Sequence, residues 1–154
     1  MDIRDFLSPS HVRLDVRAAD KAGLLKELAN LAGKALKVAA ERISTELFKR
    51  EGLGSTGTGG GVAVPHARMP EVKAPFGLLL RLDRAIGFGS IDGQPVDIVF
   101  LLLLPETPTG RELTALASVA RKLRDPISLR GLRRASDATK LFDAMVQDFR
   151  PSVM

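Results

Sequence analysis

The chain has 154 residues, of which 45% are hydrophobic and 27% charged, a balance typical of a folded globular protein. The longest uninterrupted apolar run, Ile98 to Leu104, is far too short to cross a bilayer, and the lack of cysteine excludes disulfides and thiolate chemistry. The net charge is +5, and residues 121–154 carry eight lysines and arginines against four acidic residues. We expect one cytoplasmic domain spanning residues 1–154, without a targeting segment.

In chain order, the hydrophobic pattern predicts a strand, two helices, several strands and two further helices. HVRLDV (11–16) alternates polar with apolar residues, as a half-buried strand does. The predicted strands are 11–16, 61–66, 76–82 and 96–105, and the first two helices are 24–35 and 36–50. Because the order lacks strict βαβ alternation, it predicts an α/β fold: a single domain with a mixed central β-sheet flanked by α-helices.

Capping patterns predict where the C-terminal helices begin and end. Thr109 with Glu112 forms a capping-box pattern, and Asp125–Pro126 should end the helix that it opens. Ser136 is the predicted cap of the last helix. The predicted buried positions of the first of these helices are Leu113, Leu116, Ala117, Ala120 and Leu123.

GLGSTG (52–57) matches the dinucleotide-binding pattern G-x-G-x-x-G, but in the wrong context. That fingerprint requires a preceding strand and a following helix, whereas here a helical pattern precedes and a strand-like pattern follows. The sequence also lacks the Gly-Lys-Ser/Thr of a P-loop and the G-x-S-x-G of a hydrolase elbow. The two histidines, His11 and His66, are far apart, so we expect neither a metal site nor a cofactor.

The chemistry that remains for this stretch is anion binding next to a histidine. Gly54, Ser55, Thr56 and Gly57 are candidates for a phosphate cradle of backbone N–H groups and hydroxyls. Arg50 would add a fixed charge, and His66 would be the nucleophile that accepts a phosphoryl group. The alternative is a plain turn followed by a structural histidine, and the residues alone leave both interpretations open.

REGLGSTGTGGGVAVPHAR (50–68) resembles the phosphorylation-site sequence of the fructose/mannitol-type enzyme IIA domains of the bacterial phosphotransferase system. The resemblance is greatest to the nitrogen-regulatory, PtsN-like branch. It continues through IGFGSIDGQPVDIVFLLLLPE (86–106) and LTALASVARKLRD (113–125), so it spans most of the chain.

The resemblance implies that His66 accepts the phosphoryl group and that Arg50 contacts the phosphate. It implies a small histidine-phosphorylated carrier protein as donor, and partners such as sensor kinases, potassium transport systems or stringent-response enzymes. The protein would then be mainly a regulator that forms a phosphohistidine intermediate. One departure is notable, because Glu112 and Thr114 stand where many relatives carry histidines. Thr114 remains a candidate site-adjacent residue that could donate a hydrogen bond to phosphate.

Two alternatives stay open at this stage. A sugar-specific enzyme IIA would pass its phosphate to a transporter subunit. A binding module without phosphorylation would instead use the basic segment RKLRDPISLRGLRR (121–134) to meet an acidic partner. That segment has no interleaved aromatic residues to stack on bases, which argues against nucleic acid as its partner.

Overall fold

Within the residues that the structure describes, six strands form one mixed sheet between two helical layers. The structure is a computed structural model and describes residues 2–107 and 110–147. The strands are β1 Val12–Val16, β2 Gly57–Gly59, β3 Val62–Ala63, β4 His66–Met69, β5 Phe76–Ile86 and β6 Val96–Pro105. The helices are α1 Lys21–Leu36, α2 Ala40–Gly52, α3 Arg111–Arg124, α4 Pro126–Arg134 and α5 Ala138–Val146. The predicted mixed α/β fold is confirmed.

The strand β6 is the centre of the sheet. It pairs antiparallel with β5, which pairs parallel with β1 at the far side. Along its other edge β6 pairs parallel with β3 and then with β4, so that Val62 lies opposite Ile98 and His66 opposite Leu102. Its long apolar run is buried on both faces, as a central strand requires. The predicted strand 96–105 is therefore confirmed residue for residue.

The two faces of the sheet carry separate hydrophobic clusters. Val99, Leu101 and Leu103 of β6 pack with α1 and α2, whereas Phe100 and Leu102 pack on the side of α3, α4 and α5. This division follows from the alternation of side chains along a strand. No helix in residues 2–107 and 110–147 is both long and apolar enough to span a membrane.

The predicted strand at 61–66 is wrong in its bounds, because the regular strand conformation is interrupted at Val64 and Pro65. The strand β3 ends at Ala63, and β4 begins at His66 and continues to Met69. In the break, the Val64 N–H donates to the Thr56 carbonyl at 3.0 Å. Proline has no N–H for a ladder, and the Pro65 carbonyl accepts a hydrogen bond from the Leu102 N–H at 2.9 Å. The break places the histidine at the first position of a new strand.

Among the described residues after the sheet, 110–147, there are three helices rather than the predicted two. The helix α3 ends at Arg124, as Asp125–Pro126 predicts, but Pro126 then opens the additional helix α4. The last helix is capped by Asp137, whose side chain accepts from the Lys140 N–H, so the prediction of Ser136 as the cap is wrong. The N-cap of α3 is Gly110, and the predicted capping residue Thr109 lies outside the described residues.

The helix α3 buries a different face from the predicted one. Of the five predicted positions only Leu123 is fully buried, and Leu113 is 70% exposed. The buried residues of α3 are Glu112, Ala115, Val119 and Leu123. This alanine-rich segment offers two overlapping apolar stripes. The buried stripe is the one that contains Glu112, which forms an ion pair with Arg68 of β4. Hydrophobic periodicity does not reveal such an ion pair.

Candidate functional site

The tautomer of His66 follows from the break before β4. Its Nδ1 lies 2.9 Å from the Val64 carbonyl oxygen, which can only accept a hydrogen bond. The hydrogen of the neutral ring therefore sits on Nδ1, and the lone pair is on Nε2. The Arg50 Nε–H donates to that Nε2 at 3.3 Å, which agrees with this assignment. The nucleophilic nitrogen of the ring is thus Nε2.

The surroundings of His66 favour its neutral form. Burial is the largest cause that lowers the pKa of the imidazole, and the charges of Arg50 and Arg68 lower it further. The hydrogen bond to Val64 and the charge of Glu51 oppose this shift without overcoming it. A pKa below the usual 6.5 keeps the ring uncharged at neutral pH, so that it is ready to act as a nucleophile.

Arg50 lies in the last turn of α2 and makes two contacts in the site. Its Nε–H donates to His66, and its Nη1 donates to the Gly54 carbonyl at 2.8 Å. The two contacts fix the plane of the guanidinium against the face where an incoming group would meet Nε2. The sequence therefore identified a pair, Arg50 and His66, that the fold brings into direct contact across 16 positions.

Of the four cradle residues, Gly54, Ser55 and Thr56 lie in the loop between α2 and β2, and Gly57 begins β2. Their polar groups bind other parts of the protein. The Ser55 hydroxyl donates to the Phe88 carbonyl at 2.8 Å and accepts from the Gly57 N–H at 3.0 Å. The Thr56 hydroxyl donates to Glu51. These contacts shape the loop, and either hydroxyl can reach a phosphate only by exchanging a partner. Phosphate binding by the four residues stays a prediction.

Glu51 was assigned no role from the sequence, although it lies in the quoted R-E-G-L-G-S-T-G stretch. Its side chain is 5% exposed and forms an ion pair with Lys21 of α1, with Nζ 2.9 Å from Oε1. The same carboxylate accepts the Thr56 N–H at 3.0 Å as well as the Thr56 hydroxyl. Glu51 therefore connects the glycine-rich loop, residues 53–61, to α1 and α2. The sequence signal that could have identified this role is a charged residue directly beside Arg50.

The D-G-Q-P-V-D stretch (92–97) supports the other end of the glycine-rich loop. The Asp92 carboxylate accepts the Gly60 N–H at 3.0 Å, and this contact is the first cause that lowers the pKa of Asp92. Asp97 binds Arg133 of α4 through both oxygens, at 2.9 and 3.1 Å. Arg133 also donates to the Gly60 carbonyl. One arginine of the basic segment 121–134 thus has a structural role.

Close approach explains why position 57 is a glycine. A Cβ atom at Gly57 would lie 2.2 Å from the Ser90 hydroxyl oxygen, far inside van der Waals contact. Gly61 has φ +81°, a left-handed conformation that other residues rarely adopt, and a Cβ there would meet Arg133. The glycines therefore allow the loops at 54–61 and 87–95 to pack together.

Of the two positions where histidines were expected, Glu112 pairs with a residue of the strand that carries His66, and Thr114 bonds to the start of its own helix. The role of Thr114 beside the site stays a prediction. Glu112 pairs with Arg68, two residues beyond His66 on β4, with an Oε1 to Nη1 distance of 3.3 Å. Thr114 is exposed, and its hydroxyl donates back to the Gly110 carbonyl at 3.4 Å. The other histidine, His11, packs on the Phe76 ring, with centroids 4.9 Å apart.

Three exposed apolar side chains flank the residues of the site. Leu53 is 86% exposed and directly precedes Gly54. Ile91 is 94% exposed in the loop that packs on the glycine stretch, and Leu113, next to Glu112, is 70% exposed.

The comparisons with known proteins agree with this fold. Residues 5–147 match the family model described as "Phosphoenolpyruvate-dependent sugar phosphotransferase system, EIIA 2". A nitrogen regulatory protein of Bradyrhizobium diazoefficiens is 41% identical over 145 residues, which cover 94% of this chain and 95% of the relative. A nitrogen regulatory protein of Pseudomonas aeruginosa is 36% identical over 146 residues, 94% of either chain.

Among solved structures, the nitrogen regulatory protein IIA-Ntr of Neisseria meningitidis superposes with a TM-score of 0.88 at 35% identity, covering 93% of this chain and 98% of that one. Fold and site together define a domain of the enzyme IIA type. The chain belongs to the EIIA 2 family of the phosphoenolpyruvate-dependent sugar phosphotransferase system, in its nitrogen-regulatory branch.

Proposed function

We propose that the protein accepts a phosphoryl group on Nε2 of His66 from a small histidine-phosphorylated carrier protein, and that its phosphorylation state regulates partner proteins. The observation that carries the proposal is the hydrogen bond from Nδ1 of His66 to the Val64 carbonyl, which leaves Nε2 with the lone pair. The family match over residues 5–147 supports it, and supports one enzyme IIA-type domain in residues 1–154. The cysteine-free sequence is compatible with a cytoplasmic location.

The transfer itself needs no further co-reactant. The Arg50 Nε–H first releases the Nε2 lone pair of His66. That lone pair forms a bond to phosphorus while the bond between phosphorus and the donor nitrogen breaks, and the donor nitrogen keeps that electron pair. The ring becomes an imidazolium whose Nδ1–H still donates to Val64. Phosphoryl transfer depends mainly on positioning and charge stabilisation, which a fixed imidazole beside a fixed arginine provides.

In this proposal Arg50 neutralises the phosphoryl oxygens. It already points at Nε2, so the oxygens on a phosphorylated ring would meet its guanidinium without a large movement. The loop from Gly54 to Gly57 contributes through the Gly54 carbonyl, which holds the other end of that guanidinium. Direct contacts from Ser55 and Thr56 would require their hydroxyls to leave Phe88 and Glu51.

Regulation would follow from the charge change on an exposed surface. The phosphoryl group itself carries about −2 charges at neutral pH, and the imidazolium offsets about one of them. Leu53, Ile91 and Leu113 are exposed apolar side chains on the elements that carry or contact the site residues. A partner that contacts these side chains would therefore bind the two states with different affinity. By family resemblance the partners are proteins such as sensor kinases, potassium transport systems or stringent-response enzymes.

Intact-mass spectrometry tests the proposal. The protein is incubated with phosphoenolpyruvate, the general phosphotransferase enzyme and its carrier protein. The wild type and His11→Ala should each gain one acid-labile phosphoryl group, and His66→Ala none. If the wild type gains no phosphate from a carrier that is itself shown to be phosphorylated, the proposal is wrong. A phosphoryl group on His66→Ala would show that another residue is the acceptor.

A further inference from the structure

A second arginine projects from the same strand face as His66. Side chains alternate along β4, so His66 and Arg68 point to one side, whereas Ala67 and Met69 are buried in the core on the other side. Arg68 is close enough for its charge to be felt at the imidazole, where it lowers the pKa after burial and Arg50. The partly buried ring therefore has Arg50 in contact with it and a second cation, Arg68, on its own strand.

The position of Arg68 is set by Glu112. The distance from Arg68 Nη1 to Glu112 Oε1 is 3.3 Å, and the Arg68 side chain is 44% exposed whereas that of Glu112 is 3% exposed. Glu112 lies in the first turn of α3, where a carboxylate is favoured by the helix dipole, and its burial leaves it little freedom. A long, half-exposed arginine has many rotamers, and pairing with a fixed carboxylate restricts them.

We propose that Arg68 binds the phosphoryl group on His66 as a second cation beside Arg50, and that Glu112 is the positioning residue that aims it. The inference rests on the proposed function, because it concerns the same phosphoryl group. An arginine has five N–H donors in a planar fork. The pair with Glu112 occupies Nη1, and the rest of the half-exposed fork is available to phosphoryl oxygens.

Two effects of Glu112 on the phosphoryl group oppose each other. Its negative charge weakens the attraction of Arg68 for phosphate, so that neutralising it would speed acceptance. Its hydrogen bond orients Arg68, so that neutralising it would slow acceptance. Because the Arg68 side chain is 44% exposed, water screens the charge effect, whereas the loss of orientation is not screened. The loss of orientation should therefore dominate. A slower phosphoryl acceptance in a variant with a neutral residue at position 112 supports the orienting effect, and a faster one supports the charge effect.

The experiment measures the single-turnover rate of phosphoryl acceptance from the phosphorylated carrier at a range of carrier concentrations. Here kcat is the limiting rate constant of that transfer at saturating carrier, and KM is the carrier concentration that gives half of it. Arg68→Ala should lower kcat about 100-fold, as the loss of a charged donor at a reacting group does. Glu112→Gln, which keeps the shape but not the charge, should lower kcat about tenfold. The KM for the carrier should stay unchanged, since neither residue is assigned to carrier docking. Glu106→Gln, at an exposed carboxylate, is the matched control and should match the wild type.

The double variant identifies the route of the effect. If Glu112 acts through Arg68, then Arg68→Ala with Glu112→Gln should be no slower than Arg68→Ala alone. An unchanged or faster Glu112→Gln, a raised KM in place of a lowered kcat, or additive losses in the double variant would each overturn the inference. If Glu112→Gln does not fold, an unchanged rate in Arg68→Ala overturns it equally. A wild type that takes no phosphate overturns the proposed function itself, and this inference with it.

Discussion

Glu51→Gln should destabilise the fold although it removes no bulk. The Glu51 carboxylate accepts hydrogen bonds from both the N–H and the hydroxyl of Thr56, and it pairs with Lys21 at 2.9 Å. A glutamine keeps one acceptor oxygen but presents N–H donors where the second oxygen was. With its oxygen in the place of Oε1, the amide NH2 faces the Thr56 hydroxyl, which can turn to accept from it. The hydrogen bonds then persist as weaker neutral ones, and the ammonium of Lys21 loses its counter-ion.

The size of the effect depends on how much of this network water can replace. Breaking a fully buried ion pair costs about 3–5 kcal/mol. The Lys21 side chain is 29% exposed and can be hydrated, so its share is well below that range. A hydrogen bond to a charged group contributes about 1.5–3 kcal/mol, and about half of that is lost when the group becomes neutral. We therefore expect a loss of roughly 2–3 kcal/mol in the free energy of unfolding.

Urea unfolding followed by circular dichroism measures this loss. With a slope of about 2 kcal/mol per molar urea, the midpoint should fall by about 1 M. The matched control is Glu41→Gln, an exposed carboxylate of the same helix, which should change the free energy of unfolding by less than about 0.5 kcal/mol. If Glu51→Gln is no less stable than this control, the network does not hold the glycine-rich loop as described.

Four further predictions follow from the site and the fold. Arg50→Ala should slow phosphoryl acceptance by about 100-fold in rapid-quench measurements, because a charge aimed at the oxygens is lost; an unchanged rate would remove its role. The pKa of His66 should lie below 6.5 in an NMR titration, mainly because the ring is buried. The unfolded chain then binds this proton more readily, so protonation should destabilise the fold as pH falls through 6.5, relative to His66→Gln; a midpoint at or above 6.5 would contradict this. Leu53→Asp should raise the KM for the carrier about tenfold and leave kcat unaltered, and an unchanged KM would show that the carrier docks elsewhere. Lys37→Gly should stabilise the protein to urea by about 1 kcal/mol, because Lys37 ends α1 with φ 58°; no gain would show that the lysine is unstrained there.

The parts of the fold that sequence predicted well depend on local patterns. The apolar run Ile98 to Leu104, closed by Pro105, predicted the strand β6, because a run of this length buried on both faces is typical of a central strand. The change from a helical pattern to a strand-like one around GLGSTG excluded a dinucleotide site, and the structure has α2 before this stretch and β2 after it. Arg50 and His66 were identified by resemblance, and their contact at 3.3 Å became visible only in the fold.

The parts that sequence did not predict depend on partners far along the chain. The buried Glu112 pairs with Arg68, 44 positions earlier, and hydrophobic periodicity does not reveal a partner at that distance. The division of the predicted strand 61–66 required knowing that β6 offers one edge to both β3 and β4. The hydroxyl of Ser55 was assigned to phosphate from its residue type alone, before its partner Phe88 could be known.

The most direct test of the central claim is NMR of imidazole-labelled protein before and after phosphorylation by the carrier. Long-range proton–nitrogen correlations report which ring nitrogen carries hydrogen, and coupling to phosphorus identifies the one that carries phosphate. The account predicts hydrogen on Nδ1 of His66 in the free protein and phosphorus on Nε2 afterwards. Phosphorus on Nδ1, or on any residue other than His66, would contradict it.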